Sequence, residues 1–456
     1  MPVPSSVRPP VSLERRLGLL DVTLIVMGGI IGSGIFVNPS VVASRAGSAT
    51  GTLAAWLLGG AIAMAGAFVY AELGARRPEA GGQYAYLREA FHPALAFVYA
   101  WTLLLLIQTG GMAASAVTFA RYARELGHVP LSEGVLAAAV LAVLTLVNAF
   151  GVRAGAGAQN GLMLLKIAAI LAVVVAGGMA VAPGPAGGAA SAAPAGPVSF
   201  GAAMVPVLFA YGGWQTAAFL GGEIREPART LPRGMVLGVL GVVLLYVAVN
   251  AVCLRVLGAA GLAATAAPAS DVMRAAFGEP GARWLALGVA ASTLGFLSQS
   301  MLTGPRVYYA MAADGLFFRP VAWLHPRTHA PVVAVALQGA AAVAIALTRS
   351  YGRILDTVVS ADWIFFALSA ACVFRLRRRG AADPRGVAAN VPGHPYTTLA
   401  FIAASAWIVA QALAHDPLNG LAGLGLMLAG WPMYLVWRRA ARRDATPRPA
   451  NPTPPA

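Results

Sequence analysis

Residues 27–36 read Met27-Gly28-Gly29-Ile30-Ile31-Gly32-Ser33-Gly34-Ile35-Phe36, inside an apolar run long enough to cross a bilayer. Gly32-Ser33-Gly34 is a poor helix interior. A helix that breaks there leaves backbone amides and carbonyls unpaired, which lipid tolerates only where the backbone is buried in protein or lines a watery cavity. The stretch therefore predicts a broken membrane-spanning helix whose break faces a cavity.

A second apolar run carries a similar interruption. Residues 200–223 read FGAAMVPVLFAYGGWQTAAFLGGE, with Tyr211-Gly212-Gly213-Trp214 near the middle. Either motif alone could be a packing notch, because glycine lets membrane helices approach closely. Two interrupted helices five spans apart are instead typical of an inverted repeat, and their matched placement favours that interpretation.

The composition indicates an all-α integral membrane protein. Of 456 residues, 58% are hydrophobic and 11% are charged, whereas a soluble domain has about a quarter charged. Spans 1–5 (residues 20–182) and 6–10 (residues 200–374) are predicted to form the two repeats, with spans 11 and 12 at 395–437. The twelve predicted spans are 20–45, 52–74, 94–120, 132–151, 158–182, 200–222, 233–257, 283–311, 331–348, 353–374, 395–414 and 418–437.

The arginines predict the orientation. The formal charge of +15 could suggest nucleic acid, but the basic residues fall between apolar runs, so membrane topology explains them better. More arginines lie on one side of the predicted spans than on the other, which predicts that both termini are cytoplasmic. The chain is expected in the plasma (inner) membrane. Residues 1–19 have no signal-peptide pattern and are expected to be a retained tail, and residues 438–456 are expected to be disordered.

Several function classes find no support. Cys253 and Cys372 lie in apolar segments, so neither a disulfide framework nor a metal site is expected. No GxxxxGK[ST] loop occurs, which argues against an ATP-driven pump. No HExxH occurs, and Asp21 and Asp362 belong to no recognisable protease motif, which argues against an intramembrane enzyme. No cofactor is expected.

The first break predicts a binding site for a zwitterion. The amides of Ser33, Gly34 and Ile35 begin the outer half-helix and can face a carboxylate. Carbonyls near Ile30 and Ile31 end the inner half-helix and can accept from an ammonium group. An amino acid carries both charges close together, so the sequence predicts a membrane transporter with its substrate at this break.

The motifs resemble the L-type amino acid transporter branch of the amino acid–polyamine–organocation superfamily. The similarity rests on GGIIGSGIFVNP, YAELGARRPEAGGQYAYLREAF, LFAYGGWQTAAFLGGEIREPARTLPRG and STLGFLSQSMLTGPRVYYAMAADG, and it spans roughly residues 14–400. It implies a five-plus-five inverted-repeat (LeuT-like) fold with discontinuous helices 1 and 6 and alternating access. Residues 121–133 lack the cysteine that links eukaryotic members to a glycoprotein subunit, so a stand-alone prokaryotic member without a disulfide-linked heavy chain is expected.

The resemblance also assigns roles in span 6. Phe209, Ala210 and Gly212 match the carbonyl and pocket positions, and Phe209 resembles the aromatic residue that closes over substrate. Trp214 and Gln215 are expected to face the substrate side chain. The family commonly has asparagine where this chain has Gln215.

Lys166 is the only lysine, beside 31 arginines, and it lies about eight residues into span 5. At 1.5 Å per residue this is roughly 12 Å deep. It either snorkels towards the interface or, as in relatives, occupies the place of a coupling sodium ion beside spans 1 and 8. The second interpretation is favoured, with Ser292 and Thr293 as candidate partners, and it predicts sodium independence.

Other ionisable residues stay undecided. Asp362 and Glu72 lie near membrane depth, and Asp362 either pairs with an arginine or borders a cavity. Glu223 and Glu226, near Arg225 and Arg229, are either gate or solvated-loop charges. No acidic residue falls within the two motifs, which favours a neutral L-amino acid as substrate. Exchange of one amino acid for another and proton-coupled uptake both stay open. A channel, a transport-derived sensor and an intramembrane enzyme are the alternatives.

Overall fold

The structure is a computed structural model that describes residues 15–127, 130–149, 155–180, 199–326, 328–348, 351–379 and 389–445. Within these ranges the regular structure is helical, with one π-helical turn at Leu103–Ile107 and 3-10 turns at Gly221–Glu223 and Arg319–Ala322. The α-helices are α1 Leu19–Ile30, α2 Gly34–Ala46, α3 Ala49–Arg76, α4 Gln83–Ala90, α5 Pro93–Thr102, α6 Gln108–Leu126, α7 Glu133–Ala149, α8 Gly155–Met179, α9 Phe200–Tyr211, α10 Thr216–Phe219, α11 Pro227–Ala264, α12 Pro268–Thr303, α13 Pro305–Ala313, α14 Val332–Thr348, α15 Tyr351–Arg379, α16 Tyr396–His415 and α17 Pro417–Ala445.

The helices are long and apolar enough for a multi-pass membrane protein. By length and composition, the described residues contain eight spanning segments, or nine when α1 and α2 count as one bent span. Helices α7 and α14 are apolar but shorter. Many leucines and valines on the outer helices are exposed, as lipid-facing side chains are expected to be.

Both predicted interruptions occur. Helix α1 ends at Ile30 and α2 begins at Gly34, with a bend of 45° between them. Helix α9 ends at Tyr211, and the short helix α10 begins at Thr216. The backbone therefore leaves the helical path at the two glycine motifs.

The structure corrects several boundaries. Helix α17 continues to Ala445, so residues 438–445 are helical and do not belong to a disordered tail. Helix α4, in the segment after span 2, was not predicted, and the third apolar run contains the π-helical turn. Helices α11 and α12 each contain a glycine with positive φ, Gly258 and Gly278, that interrupts the helical path. Residues 1–14 and 446–456 lie outside the described residues.

Candidate binding site between the broken helices

The two breaks meet at Gly29 and Gly213. Gly213 has φ +117°, and a Cβ placed on it would lie 2.1 Å from the carbonyl oxygen of Gly29. The backbones are therefore too close for any side chain at this position. The Thr216 hydroxyl donates to the Gly213 carbonyl at 2.8 Å and holds the turn into α10.

Tyr246 of α11 lies beside both breaks. Its side chain is buried, and its hydroxyl lies 3.1 Å from the Ile30 carbonyl oxygen and 3.3 Å from that of Ala210. These carbonyls belong to the last residues of α1 and α9, where intrahelical donors are missing. Sequence analysis did not identify Tyr246, because nothing in an apolar span indicates which way one tyrosine points.

A cavity adjoins the meeting point. The space open to the centres of water molecules is about 80 Å³. One water needs roughly 10–15 Å³ of such space, so a small amino acid has room here. The lining residues are Gly29, Ile30, Gly32, Ser33, Gly34, Ile107, Gln108, Gly111, Ser115, Leu208, Phe209, Ala210, Gly212, Gly213, Gln215, Thr216, Phe296, Gln299, Ser300, Thr303, Val358, Val359, Asp362 and Trp363.

Most of the predicted substrate-binding residues border this cavity. Three do not: Ile31, Ile35 and Trp214. Ile35 is 1% exposed, and Trp214 is fully buried. Trp214 packs against Phe366, with ring centroids 4.8 Å apart, and it lies outside the cavity lining. Those that line the cavity are Ile30, Gly32, Ser33, Gly34, Phe209, Ala210, Gly212 and Gln215.

The cavity touches both ends of the first break. The N-terminus of α2 carries Ser33 and Gly34, and the first amides of a helix have no intrahelical acceptor and favour an anion. The C-terminus of α1 presents carbonyl oxygens that favour a cation. Because the Ile30 carbonyl accepts from Tyr246 and the Ile31 carbonyl accepts from Lys166, part of this acceptor capacity is already used.

Lys166 lies behind the cavity and not in its lining. Its side chain is 1% exposed, and its ammonium donates to the Ile31 carbonyl oxygen at 2.6 Å. A Cβ on Gly295 of α12 would lie 3.9 Å from Nζ, so the lysine sits beside spans 1 and 8. The side chain is thus buried inside the protein and does not extend to an interface.

Ser292 and Thr293 do not bond to Lys166 in the part of the chain that is described. The Thr293 hydroxyl donates to the carbonyl oxygens of Val289 and Ala290 in its own helix. The Ser292 hydroxyl is buried without a partner among the described residues. The prediction that Ser292 and Thr293 are partners of Lys166 is therefore not supported by a direct contact in the described residues.

Asp362 of α15 borders the cavity, which answers the question that the sequence left open. Its side chain is 9% exposed, and Oδ1 is buried with no hydrogen-bond partner among the described residues. The neighbouring Trp363 packs against Trp214 and Phe401, with ring centroids 6.1 and 5.9 Å apart. An acidic group therefore reaches the cavity although neither glycine motif contains one.

The two glutamates after α10 differ in their surroundings. Glu223 forms an ion pair with Arg306 of α13, at 2.9 Å, and both side chains are largely buried, at 19% and 10% exposed. Its carbonyl oxygen also accepts from the amides of Arg16 and Leu17, at 2.8 and 3.0 Å. Glu226 is 76% exposed and 3.9 Å from Arg229, as expected of a solvated loop charge.

Glu72 anchors a buried network at the end of α3. Its fully buried carboxylate accepts from Arg76 at 2.9 Å and from Arg377 of α15 at 2.7 and 2.6 Å. The amide of Val391 donates to it at 2.8 Å. Glu72 therefore ties α3, α15 and the segment before α16 together, and it is not among the residues that line the cavity.

A solute-sized cavity between two broken membrane helices is the arrangement expected of a membrane carrier. A family model described as "Amino acid permease" matches residues 17–425. This is most of the chain, and the protein therefore belongs to the amino acid permease family, whose members are transporters and not enzymes. The predicted superfamily is confirmed.

Similar proteins agree with this family. The chain is 30% identical over 430 residues to the serine/threonine exchanger SteT of Bacillus subtilis, covering 92% of this chain and 96% of that protein. It is 29% identical over 395 residues to the mouse b(0,+)-type amino acid transporter 1, covering 84% and 80%. It is 28% identical over 441 residues to the human large neutral amino acids transporter small subunit 2, covering 93% and 81%.

Proposed function

We propose that this protein carries neutral L-amino acids across the plasma membrane by alternating access. The observation that carries the proposal is the cavity at the junction of the two broken helices, which is lined by residues at the C-terminus of α1 and at the N-terminus of α2. A carboxylate and an ammonium group a few ångströms apart match these two ends. The names of the relatives, which include serine, threonine and large neutral amino acids, favour neutral substrates.

The proposal includes the architecture predicted from the sequence. Twelve spans are arranged as two inverted repeats, residues 20–182 and 200–374, with residues 395–437 forming spans 11 and 12. Helices α7 and α14 serve as the shorter spans 4 and 9, and α9 with α10 forms span 6. Both termini lie in the cytoplasm, and the chain acts without a disulfide-linked heavy chain, since residues 121–133 contain no cysteine.

Transport is proposed to be independent of sodium. The buried Lys166 side chain donates to the Ile31 carbonyl beside span 8, so it occupies the place that a coupling ion would take. Exchange of one amino acid for another and proton-coupled uptake are both compatible with a fixed lysine.

Transport by purified protein in liposomes tests the function. Vesicles loaded with unlabelled alanine, serine or leucine should accumulate the same labelled amino acid faster than empty vesicles if the protein exchanges substrates. Saturable, slow flux distinguishes a carrier from a channel, which would give unitary currents. If none of the common amino acids is transported or raises the thermal midpoint, the proposal fails.

A further inference from the structure

Asp362 is the one ionisable side chain among the residues that line the cavity, and all of these residues lie in the described part of the chain. It is nine-tenths buried, and its Oδ1 has no donor among the described residues. A buried carboxylate without a donor costs several kilocalories per mole, so such groups in native proteins are normally paired. The structure therefore holds an acceptor that a bound molecule can complete.

Several polar neighbours in the lining already have partners. The Gln299 amide donates to the Ile25 carbonyl at 2.5 Å, and the Thr303 hydroxyl donates to the Gln299 carbonyl at 3.1 Å. The Gln215 side-chain oxygen accepts from the amide of Gly213 at 3.1 Å. These groups help to build the wall, whereas Asp362 brings a carboxyl group with an unpartnered oxygen to the same lining.

The position of Asp362 in the fold separates it from the groups expected to hold the substrate backbone. Those groups belong to the break between α1 and α2, whereas Asp362 belongs to α15. Trp363 is wedged against Trp214 and Phe401, which holds this part of α15 in place. Because Asp362 lies on a different helix from the break, we expect it to contact the side chain of a bound amino acid and not its carboxylate or ammonium group.

We propose that Asp362 accepts a hydrogen bond from a donor group on the substrate side chain, a hydroxyl or an ammonium. It makes the carrier select amino acids with such a donor over amino acids of the same size with a hydrocarbon side chain. This inference rests on the proposed amino acid transport and names the substrate class of the same cavity.

Pairs of amino acids of matched size test the proposal on the unaltered protein. Serine is compared with 2-aminobutyrate, and 2,4-diaminobutyrate with norvaline, as competitors of labelled substrate in proteoliposomes. A hydrogen bond to a charged group changes affinity by roughly tenfold or more, so one donor-bearing member should compete at least about tenfold better than its partner. Equal competition within both pairs overturns the proposal, because water then satisfies Asp362.

Two substitutions identify the donor. Asp362→Ala removes the acceptor and should bring the preference within the favoured pair close to one. Asp362→Asn keeps a neutral acceptor, so a hydroxyl preference should persist in part, whereas an ammonium preference should disappear as fully as in the alanine variant. Ser369→Ala is the control, since Ser369 is buried in the same helix outside the cavity lining, and it should leave both preferences unchanged.

The outcomes separate this inference from the proposed function. If no amino acid exchanges at all, amino acid transport itself is refuted. If exchange occurs but Asp362→Ala lowers both members of each pair equally, Asp362 does not select a side chain, and only this inference fails. An ammonium preference would keep the inference and replace neutral by cationic substrates.

Discussion

The Lys166 ammonium on α8 donates to the carbonyl oxygen of Ile31, at 2.6 Å, immediately after the last residue of α1. The contact joins span 5 to the break in span 1. It also occupies an acceptor that the sequence had assigned to the substrate. Lys166 therefore supplies a donor to the buried carbonyl end of the break.

Lys166→Met should lower exchange at least about tenfold while the protein still inserts and folds. Methionine keeps most of the apolar stem but leaves the Ile31 carbonyl without its charged donor, and an unsatisfied buried acceptor costs about 1–3 kcal/mol. Exchange rates in proteoliposomes are the measurement, with Lys166→Arg as a second variant because the bulkier guanidinium should not fit. Wild-type rates in Lys166→Met would contradict the role.

Amino acid uptake should be the same in sodium and choline buffers. The reason is that the buried Lys166 side chain lies beside the break in span 1, where it is proposed to take the place of a coupling sodium ion. Initial rates in the two buffers at one ionic strength decide the matter. Strict sodium dependence would refute the proposal that Lys166 takes the place of a sodium ion.

Gly34→Val should abolish substrate binding. A Cβ on Gly34 would lie 2.8 Å from the Cβ of Ala210, so any side chain must push the two broken spans apart. Loss of ligand-induced thermal stabilisation is the readout. Gly178→Ala is the matched control on α8, where nothing lies within 4 Å of an added Cβ. Unchanged binding by Gly34→Val would remove the site from this position.

Glu72→Gln should lower the stability by about 3 kcal/mol or more, because it leaves Arg377 without its buried partner. Glu226→Gln serves as the control. Its carboxylate is 76% exposed and 3.9 Å from Arg229, so its loss should change stability by no more than about 0.5 kcal/mol. Thermal midpoints in detergent compare the variants, and equal midpoints would show that the Glu72 network contributes nothing.

Glu223 and Arg306 should be energetically coupled. Both side chains are largely excluded from solvent, so removing either partner should cost more than removing the second one afterwards. A double-mutant cycle of Glu223→Gln and Arg306→Gln on the thermal midpoint should give a coupling of about 1 kcal/mol or more. Additive effects would mean that the pair does not hold α13 to the segment after α10.

The glycine motifs predicted the breaks because missing side chains change the backbone locally. They could not predict which neighbours of each break face the cavity. Ile30 lines it whereas the adjacent Ile31 carbonyl turns to Lys166, and Gln215 lines it whereas Trp214 packs behind. Once the chain leaves the helical path, the periodicity of 3.6 residues no longer orients the side chains.

The sequence also could not predict which side chains of α11 and α15 reach the site. The residues that flank Tyr246 and Asp362 along the chain are largely apolar, so no local amphipathic pattern indicates where these two side chains point. The partners of Glu72 were hidden for another reason, since Val391 is more than three hundred residues away along the chain. Contacts of this kind depend on the assembled fold.

The Tyr246 hydroxyl, which touches the last residues of both α1 and α9, has a mechanical consequence. The hydroxyl oxygen of Tyr246 on α11 contacts both discontinuous spans where their helices end. Neither α1 nor α9 can move away by itself without breaking its hydrogen bond to this shared hydroxyl. Any rearrangement that opens this junction therefore moves the two spans in concert.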